Sequence, residues 1–247
     1  MPEPINNSIQ NYVTAGNIRL YGTPLAPITR EEIQSIPRID YTAEFHLLRH
    51  FSKLPDDYRA ELTQQSYQST LRRGQKRISH PITQEKIDSA METIASKFNQ
   101  EIPDFATPRT LTQSMLSRAE EAASYGQMVW LQRKDGKRIY LTIELPYNTG
   151  TGGIISVNSL SKEQLLKINL QQRSNLRNNQ FIYVLPLDTK TSTNKVTVII
   201  IQYKNDPTPS IATIYPGELV PPAPKHNQQP EEFSYNADFW RDKIFLV

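Results

Sequence analysis

A run of alternating residues between positions 138 and 144 carries groups suited to acid–base chemistry on a phosphodiester. Four polar residues alternate with apolar ones there: Arg138, Tyr140, Thr142 and Glu144. On a β-strand they would share one face, about 7 Å apart. Cleaving RNA without a metal requires a base for the 2′-hydroxyl, a proton for the leaving oxygen and a cation for the developing charge. The row offers groups of these kinds, although any half-buried strand with a solvated face alternates in the same way.

The elements around this row are predicted to form a β-hairpin over residues 127–145. Apolar and polar residues alternate on both sides of Asp135–Gly136, a dipeptide typical of two-residue hairpin turns. Lys134 and Lys137 flank that turn. The row would therefore lie on the second strand of the hairpin, beside positive charge.

Positive charge is concentrated in the section from residue 126 to residue 205. That section has eleven basic and four acidic residues, a balance of +7, whereas the whole chain carries only +3. Such a section predicts a polyanionic partner, with RNA as the first choice. The predicted contact residues are Lys134, Lys137, Arg173 and Arg177. Solvated cations on exposed strands would produce the same asymmetry.

The composition excludes several kinds of chemistry. The chain has no cysteine, so thiolate catalysis, disulfides and Cys-ligated metals are absent. His46 and His50 are four residues apart, but Leu47 stands where a zincin helix has Glu and no third ligand is evident. A structural histidine pair is favoured, and no metal or cofactor is predicted. The opening MPEPINNSIQ lacks the features of a conventional signal peptide, and no apolar run approaches the length of a membrane span.

The periodicity along the chain predicts an α+β fold. Helical patterns dominate to about residue 124 and predict helices over residues 55–73, 78–98 and 109–124, with possible N-caps at Thr29 and Thr83. The residues of the last of these helices that are predicted to face inward are Leu111, Met115, Leu116 and Ala119. Strand patterns dominate from residue 128 to residue 215. A last helix is expected over residues 235–243. The predicted fold is therefore N-terminal helices, a mostly antiparallel sheet of about five strands and a C-terminal helix. The proposed division is a helical delivery or regulatory region over residues 1–77 and an α+β effector domain over residues 78–247.

Two loops could bind phosphate. The sequence NTGTGG (residues 148–153) offers backbone N–H groups but lacks the Lys-Ser/Thr of a P-loop, so a flexible hairpin or edge loop is favoured. The sequence LRRGQKR (residues 71–77) clusters four cations: Arg72, Arg73, Lys76 and Arg77. Such a cluster suits either phosphate binding or a solvated connection between helices.

The stretch IATIYPGELVPPAP (residues 211–224) begins as a strand and ends abruptly. Pro216 cannot donate to a β-ladder, so the strand must end there or lie at an edge. Tyr215 would then place its hydroxyl at the rim of the sheet, where substrate sites commonly occur. Alternatively, Tyr215 packs in the core and the residues after it merely connect the strand to the last helix.

This stretch, followed by FWRDKIFLV, resembles the C-terminal toxin domains of bacterial polymorphic toxins. The resemblance is to ribonuclease folds of the barnase, EndoU, colicin and RelE type, in which a late strand carries Thr-x-Tyr-Pro. The matching residues here are Thr213, Tyr215, Pro216 and Gly217. The resemblance covers roughly residues 78–247 and implies helices followed by an antiparallel sheet whose concave face binds RNA.

The resemblance implies a metal-independent ribonuclease. Such toxins commonly place a histidine in the helical part or on the sheet, and His80 is the one suitably placed here. The implied catalytic set is Arg138, Thr142, Glu144, Thr213, Tyr215 and His80. A toxin of this class would leave its cell through a specialised system, act in the cytoplasm of a target cell and have a cognate immunity protein or a host protein as a partner.

Two other functions remain open at this stage. A non-enzymatic effector or adaptor would use the basic sheet and the Pro-rich segment to bind a host protein or an acidic surface. An ADP-ribosyltransferase-like effector would need paired glutamates, for which Glu231 and Glu232 are the only suggestion, although they are adjacent where that family has them one residue apart.

Overall fold

The fold is described by a computed structural model that covers residues 12–15, 18–70, 77–93, 95–125, 128–133, 135–170, 183–185, 192–224 and 228–246. Helices dominate the first half and strands the second, which confirms the predicted α+β class. Within these ranges the chain forms seven α-helices: α1 (Arg30–Gln34), α2 (Tyr41–Leu47), α3 (Asp56–Thr63), α4 (Gln84–Met91), α5 (Pro108–Ser124), α6 (Lys162–Leu170) and α7 (Pro230–Trp240).

The main sheet has five strands, and every neighbouring pair is antiparallel. In spatial order the strands are β13 (Ser210–Pro216), β12 (Lys195–Tyr203), β7 (Gly136–Glu144), β6 (Val129–Arg133) and β3 (Thr23–Pro27). The last of these comes from the chain before α1. Its two prolines suit an edge position, where a missing N–H leaves no gap in the ladder.

The hairpin of β6 and β7 forms as predicted, but the turn does not include Gly136. Arg133 pairs directly with Gly136, so this glycine belongs to β7. Gly136 has φ +151°, and a Cβ atom there would lie 2.1 Å from the carbonyl oxygen of Gln202 on the neighbouring strand. Glycine is therefore required by close packing against β12.

The two faces of the sheet have different environments. The helix-packed face shares one hydrophobic core with the helices, and its contribution includes Ile139, Val196, Val198, Ile200 and Ile214. The opposite face, called here the second face, carries a smaller cluster of Leu20, Leu131 and Leu219 packed with Tyr140. The sheet is thus covered, at least in part, on both sides.

The helices begin and pack largely as their sequences dictate. The Thr29 hydroxyl accepts a hydrogen bond from the Glu32 backbone N–H, and the Glu32 carboxylate accepts one from the Thr29 backbone N–H, which completes a capping box. Thr83 caps α4 through the Lys86 N–H. The four residues predicted to face inward from α5 are all buried: Leu111, Met115, Leu116 and Ala119.

Two helices are shorter than predicted, because a strand replaces the C-terminal part of the first and another replaces the start of the second. Helix α3 stops at Thr63, and the following residues form β4 (Ser66–Thr70), which pairs antiparallel with β5 (Arg77–Pro81). The sequence SYQST alternates and includes hydroxyl and aromatic side chains that suit a strand better than a helix. A hairpin therefore lies where the sequence predicts continuous helices.

Helix α4 ends at Met91 instead of continuing to Phe98. The Lys97 ammonium donates to the carbonyl oxygens of Met91 (2.6 Å) and Thr93 (3.3 Å) at that end, and to that of Arg49 (2.7 Å) across the interface. The Lys97 ammonium thus binds carbonyl oxygens at the C-terminal end of α4, where a helix has carbonyls without an intrahelical partner. Phe98 is buried in the core but forms an isolated bridge with Gly150.

The C-terminal residues form a strand beyond the predicted helix. Helix α7 ends at Trp240, and β14 (Lys243–Leu246) lies between β9 (Gly153–Ser156) and β10 (Tyr183–Leu185) in a second, three-stranded sheet. Its pairing is antiparallel to β9 and parallel to β10. The short strands that remain form two pairs: β1 (Tyr12–Ala15) with β2 (Ile18–Tyr21), and β8 (Gly150–Thr151) with β11 (Ser192–Thr193).

The predicted boundary at residue 77 falls at the first residue of β5. One hydrophobic core includes residues from both sides of that position, such as Ile33 and Leu47 before it and Leu111 and Val198 after it. Strand β3, from the N-terminal part, also completes the main sheet. Among the described residues, no helix has the length and apolar character needed to cross a membrane.

Candidate functional site

The predicted catalytic row lies on the second face of the main sheet. Thr142 pairs with Thr197, which pairs in turn with Tyr215, so these three side chains cross three strands side by side. Two residues before Tyr215 on the same strand, Thr213 pairs with Ile199 of β12. Five of the six predicted catalytic residues therefore share a face: Arg138, Thr142, Glu144, Thr213 and Tyr215.

The cations of this region are engaged in ion pairs. On the second face, Arg138 Nη2 lies 2.6 Å from Asp135 Oδ2, and the Lys195 ammonium lies 2.5 Å from Glu218 Oε1. Lys137 alternates with Arg138 and therefore lies on the helix-packed face, where its ammonium is 3.1 Å from Glu32 Oε1 and 4.2 Å from the ring centroid of Trp130. Thr142 and Glu144 are exposed, and Glu144 accepts a hydrogen bond from Asn194 (2.9 Å). The second face thus has little free positive charge among its described residues with which to bind a phosphate.

Tyr215 lies against other side chains instead of standing free at the rim. Its ring centroid is 6.2 Å from that of His50 and 6.5 Å from that of Phe245. Burial raises the pKa of Tyr215 to about 12, although hydrogen bonds with the Thr197 side chain and the Val220 backbone act in the opposite direction. The hydroxyl therefore lies near Thr197 and Val220 instead of standing free at the rim, although Tyr215 as a whole is half-buried and does not belong to the hydrophobic core.

Replacing Tyr215 by Phe is expected to lower the free energy of unfolding by about 1 kcal/mol, because it deletes a hydrogen-bonded hydroxyl. Tyr203→Phe is a matched control on the adjacent strand, since Tyr203 is 48% exposed, and it should change stability by less than about 0.5 kcal/mol. Denaturant unfolding of both variants makes the comparison. Equal stability of the two variants would contradict the enclosed hydroxyl.

The Pro-rich segment after β13 is built into the fold. Gly217 accepts a hydrogen bond from the Thr197 hydroxyl (2.9 Å), and Pro221 accepts one from the Trp240 indole N–H (2.9 Å). Leu219, Pro221 and Pro224 are buried. The strand ends at Pro216 because the chain turns there to cover the second face and connect to α7. This arrangement disfavours the segment as a free adaptor motif.

A different group of side chains comes together on the β4–β5 hairpin. Tyr67 stacks on Phe45 of α2 with centroids 4.1 Å apart, and its ring also stacks with His80 at 5.2 Å. His46 meets the same tyrosine edge-on at 6.3 Å. These four residues, Phe45, His46, Tyr67 and His80, are called the ring cluster below. Gln68 donates its backbone N–H to the Thr42 hydroxyl (3.0 Å), which fixes the hairpin to α2.

Two polar side chains complete the surroundings of the ring cluster. Ser69 Oγ lies 2.7 Å from His80 Nε2, and the Lys86 ammonium lies 5.4 Å from the centroid of the Tyr67 ring. His46 is exposed, while Tyr67, Ser69, His80 and Lys86 are half-buried. The site therefore presents two imidazoles, a hydroxyl, a phenol and a cation where solvent can reach them. The sequence predicted His80 in one catalytic set with five residues of the main sheet, but the structure places it on the β4–β5 hairpin, in a separate sheet.

The pKa of His46 is lowered, first because part of its ring is desolvated and second because the Arg49 cation is near. The unfolded chain then binds more protons than the folded protein just below pH 6.5, so stability is lost as the pH falls through that range. Wild-type protein should lose more unfolding free energy between pH 7 and pH 5 than His46→Gln. Equal losses in denaturant unfolding would contradict the shift.

The other predicted residues do not join this site. Lys134, Arg173 and Arg177 lie outside the described residues, as do three of the four cations in residues 71–77. Arg77 is described and forms an ion pair with Asp206 (2.7 Å). His50 is buried, with Nδ1 2.8 Å from the Ser96 carbonyl oxygen, in accordance with a structural role.

The two glutamates suggested for an ADP-ribosyltransferase do not lie in one common site. Glu231 is exposed, whereas Glu232 is buried and lies 2.5 Å from Arg133 Nη2. One carboxylate therefore faces solvent, and the other forms a buried ion pair. In the part of the chain that the structure describes, no group of three or more His, Asp or Glu side chains is placed to hold a metal ion.

Sequence reasoning missed the ring cluster because it assigned residues 66–70 to a helix. A helical period separates Tyr67 from Ser69 on different faces, whereas a strand places both on the same face. The alternation in SYQST, together with a glycine at position 74 of the sequence, was the available signal. The comparisons with known proteins add nothing further, since no family model, curated protein or solved structure matches this chain.

Proposed function

We propose that this chain binds single-stranded RNA and cleaves it without a metal ion, at the ring cluster. The observation that carries the proposal is the 2.7 Å contact between a hydroxyl oxygen, Ser69 Oγ, and His80 Nε2 on a solvent-accessible surface. A nitrogen in that position has the geometry required of a general base toward a hydroxyl group. The 2′-hydroxyl of a bound RNA that takes the position of the Ser69 hydroxyl would lie within hydrogen-bonding distance of His80 Nε2.

The neighbouring groups supply the rest of the reaction. His80 accepts the proton of the 2′-hydroxyl, whose oxygen attacks the adjacent phosphorus while the bond to the 5′-oxygen breaks. The leaving oxygen takes a proton from His46 in its imidazolium form, which the lowered pKa confines to mildly acidic pH, and the product carries a 2′,3′-cyclic phosphate. The Lys86 ammonium stabilises the added negative charge. Tyr67 and Phe45 offer aromatic surface, and base stacking of this kind contributes about 1–3 kcal/mol per base.

This proposal retains the reaction class that the sequence suggests but assigns it to other residues. Ion pairing of Arg138 and enclosure of Tyr215 leave the second face poorly suited to a phosphate, whereas the histidines of the ring cluster are within reach of solvent. His80 belongs to both sets. The adaptor alternative would have to use a surface other than the buried Pro-rich segment.

The biological setting that we propose is a bacterial toxin or effector, on the strength of the Thr213–Gly217 resemblance alone. RNA cleavage in a target cell would stop growth, and an immunity protein would protect the producing cell. Expression in bacteria followed by gel analysis of total RNA tests this setting. Growth without RNA loss would remove the toxin proposal and leave an RNA-binding role.

The reaction itself is tested with purified protein and a 5′-labelled single-stranded oligoribonucleotide in excess EDTA. Cleavage should continue in EDTA, because the proposed groups are all side chains, and the products should end in 2′,3′-cyclic phosphates. Binding should weaken with salt, with a log–log slope of about 0.7 for each phosphate that the protein neutralises on a single strand. An intact substrate after prolonged incubation would rule out the assignment.

A further inference from the structure

Ser69 and His80 form a pair whose chemistry extends beyond RNA. A serine hydroxyl becomes a nucleophile when a neighbouring base removes its proton, and the signature is an oxygen–nitrogen distance of about 2.6–3.2 Å. The Ser69 Oγ to His80 Nε2 distance of 2.7 Å falls within this range. Both side chains are half-buried, so a small electrophile can approach them.

Another serine–histidine contact among the described residues shows what distinguishes this pair. Ser96 Oγ lies 3.5 Å from His50 Nδ1, and the same nitrogen lies 2.8 Å from the Ser96 carbonyl oxygen. A carbonyl oxygen can only accept, so His50 Nδ1 must carry a proton and cannot act as a base. Ser96 and His50 are also buried. At His80 Nε2 the contact is a hydroxyl, which can donate its proton.

The hairpin holds the two residues in a fixed relation. Tyr67 pairs with His80 across β4 and β5, and Ser69 lies two residues further along β4 on the same face. Stacking of His80 on Tyr67 orients the imidazole, and Tyr67 is itself stacked on Phe45. The pair is thus positioned by regular secondary structure, which restrains it more than a loop would.

We propose that Ser69 is a nucleophile activated by His80, and that it reacts with activated esters of carboxylic or phosphonic acids. Ser69 Oγ forms a bond to the carbonyl carbon or to phosphorus, and its proton passes to His80 Nε2. The bond to the leaving group breaks, and the leaving group departs with the electron pair. With a carboxylic ester the product is an acyl-serine, which water then hydrolyses to regenerate the hydroxyl.

A fluorophosphonate probe tests this reactivity directly, because fluoride is the leaving group and the adduct is stable. Intact-mass measurement of the folded protein should show a single adduct, located on Ser69 by peptide mapping. Ser69→Ala should take up none. His80→Ala should react at least about 100-fold more slowly, the lower end of the usual contribution of a general base. Ser79→Ala, an exposed serine on the same hairpin, should react as the wild type does.

Three results would overturn the proposal: no adduct on folded wild-type protein, equal labelling of Ser69→Ala, or wild-type labelling rates in His80→Ala. If His80→Ala melts well below the wild type, His80→Gln replaces it, because the amide can keep a hydrogen bond to Ser69 but cannot take up a proton. Labelling requires no RNA, so its failure is separate from a failure of RNA cleavage.

Discussion

Arg109→Met is expected to lower the free energy of unfolding by about 3–5 kcal/mol, because it leaves a buried carboxylate without its cation. Glu44 is 2% exposed, and the guanidinium of Arg109 binds both of its oxygens, at 3.1 and 2.9 Å. The same guanidinium also reaches Glu61 of α3 (3.0 Å). Loss of this residue therefore uncouples α2, α3 and α5. For a chain of this size each kcal/mol lowers Tm by about 2–4 °C.

The matched control for that variant is Arg59→Met. Arg59 forms an ion pair of 2.6 Å with Asp88, but the carboxylate is 49% exposed, so the pair contributes at most about 1 kcal/mol. Adding Glu44→Gln to Arg109→Met removes the unpaired charge and should recover part of the loss. The three variants are compared by thermal and denaturant unfolding. An equal loss of unfolding free energy in Arg109→Met and Arg59→Met would contradict the account.

His80→Ala is expected to lower the rate of RNA cleavage by about 10²–10⁴-fold, the usual contribution of a positioned general base. Because His80 is half-buried against Tyr67, the variant should also lose a little stability, and Tm is therefore measured together with the rate. RNA binding should change much less, since Lys86, Tyr67 and Phe45 remain in place. A loss confined to the rate identifies a chemical role.

Two further variants separate chemistry from structure. Ser79→Ala lies on the exposed part of the same hairpin and should cleave RNA at the wild-type rate. Arg138→Ala removes a cation that is already paired with Asp135 and should also leave the rate nearly unchanged. A large loss in Arg138→Ala together with full activity in His80→Ala would return the site to the second face of the sheet.

Much of the fold follows from local patterns in the sequence. The N-cap at Thr29, the apolar stripe of α5, the alternation in β7 and β13 and the apolar run of β12 are each signals read within one element. Pro216 likewise marks the end of its strand. These signals act over a few residues, and the structure confirms the elements they predict.

The elements that the sequence did not predict depend on distant partners. Strand β4 pairs with β5, and β14 pairs with both β9 and β10. Neither strand has a strong pattern in its own sequence, so each depends on these partners to form. The end of α4 is fixed by the Lys97 ammonium and its carbonyl acceptors on two separate segments. Such contacts are decided by tertiary packing, which overrides local propensity.

The candidate site shows the same limitation. The alternation in β7 correctly places Arg138, Thr142 and Glu144 on one face, but periodicity cannot reveal that Asp135 pairs with the cation or that residues 217–224 cover part of that face. His46, Ser69 and His80 belong to three elements, α2, β4 and β5. Only the register of β4 with β5 and the packing of α2 on β4 bring them together.

The most direct measurement of the central claim compares two oligonucleotides of identical sequence, one all-ribose and one with 2′-deoxyribose at every position, incubated with the purified chain in EDTA. We predict cleavage of the ribose strand to 2′,3′-cyclic phosphate ends, loss of that cleavage in His80→Ala and no cleavage of the deoxyribose strand. An uncut ribose strand, cleavage abolished by EDTA, or equal cleavage of both strands would contradict the account.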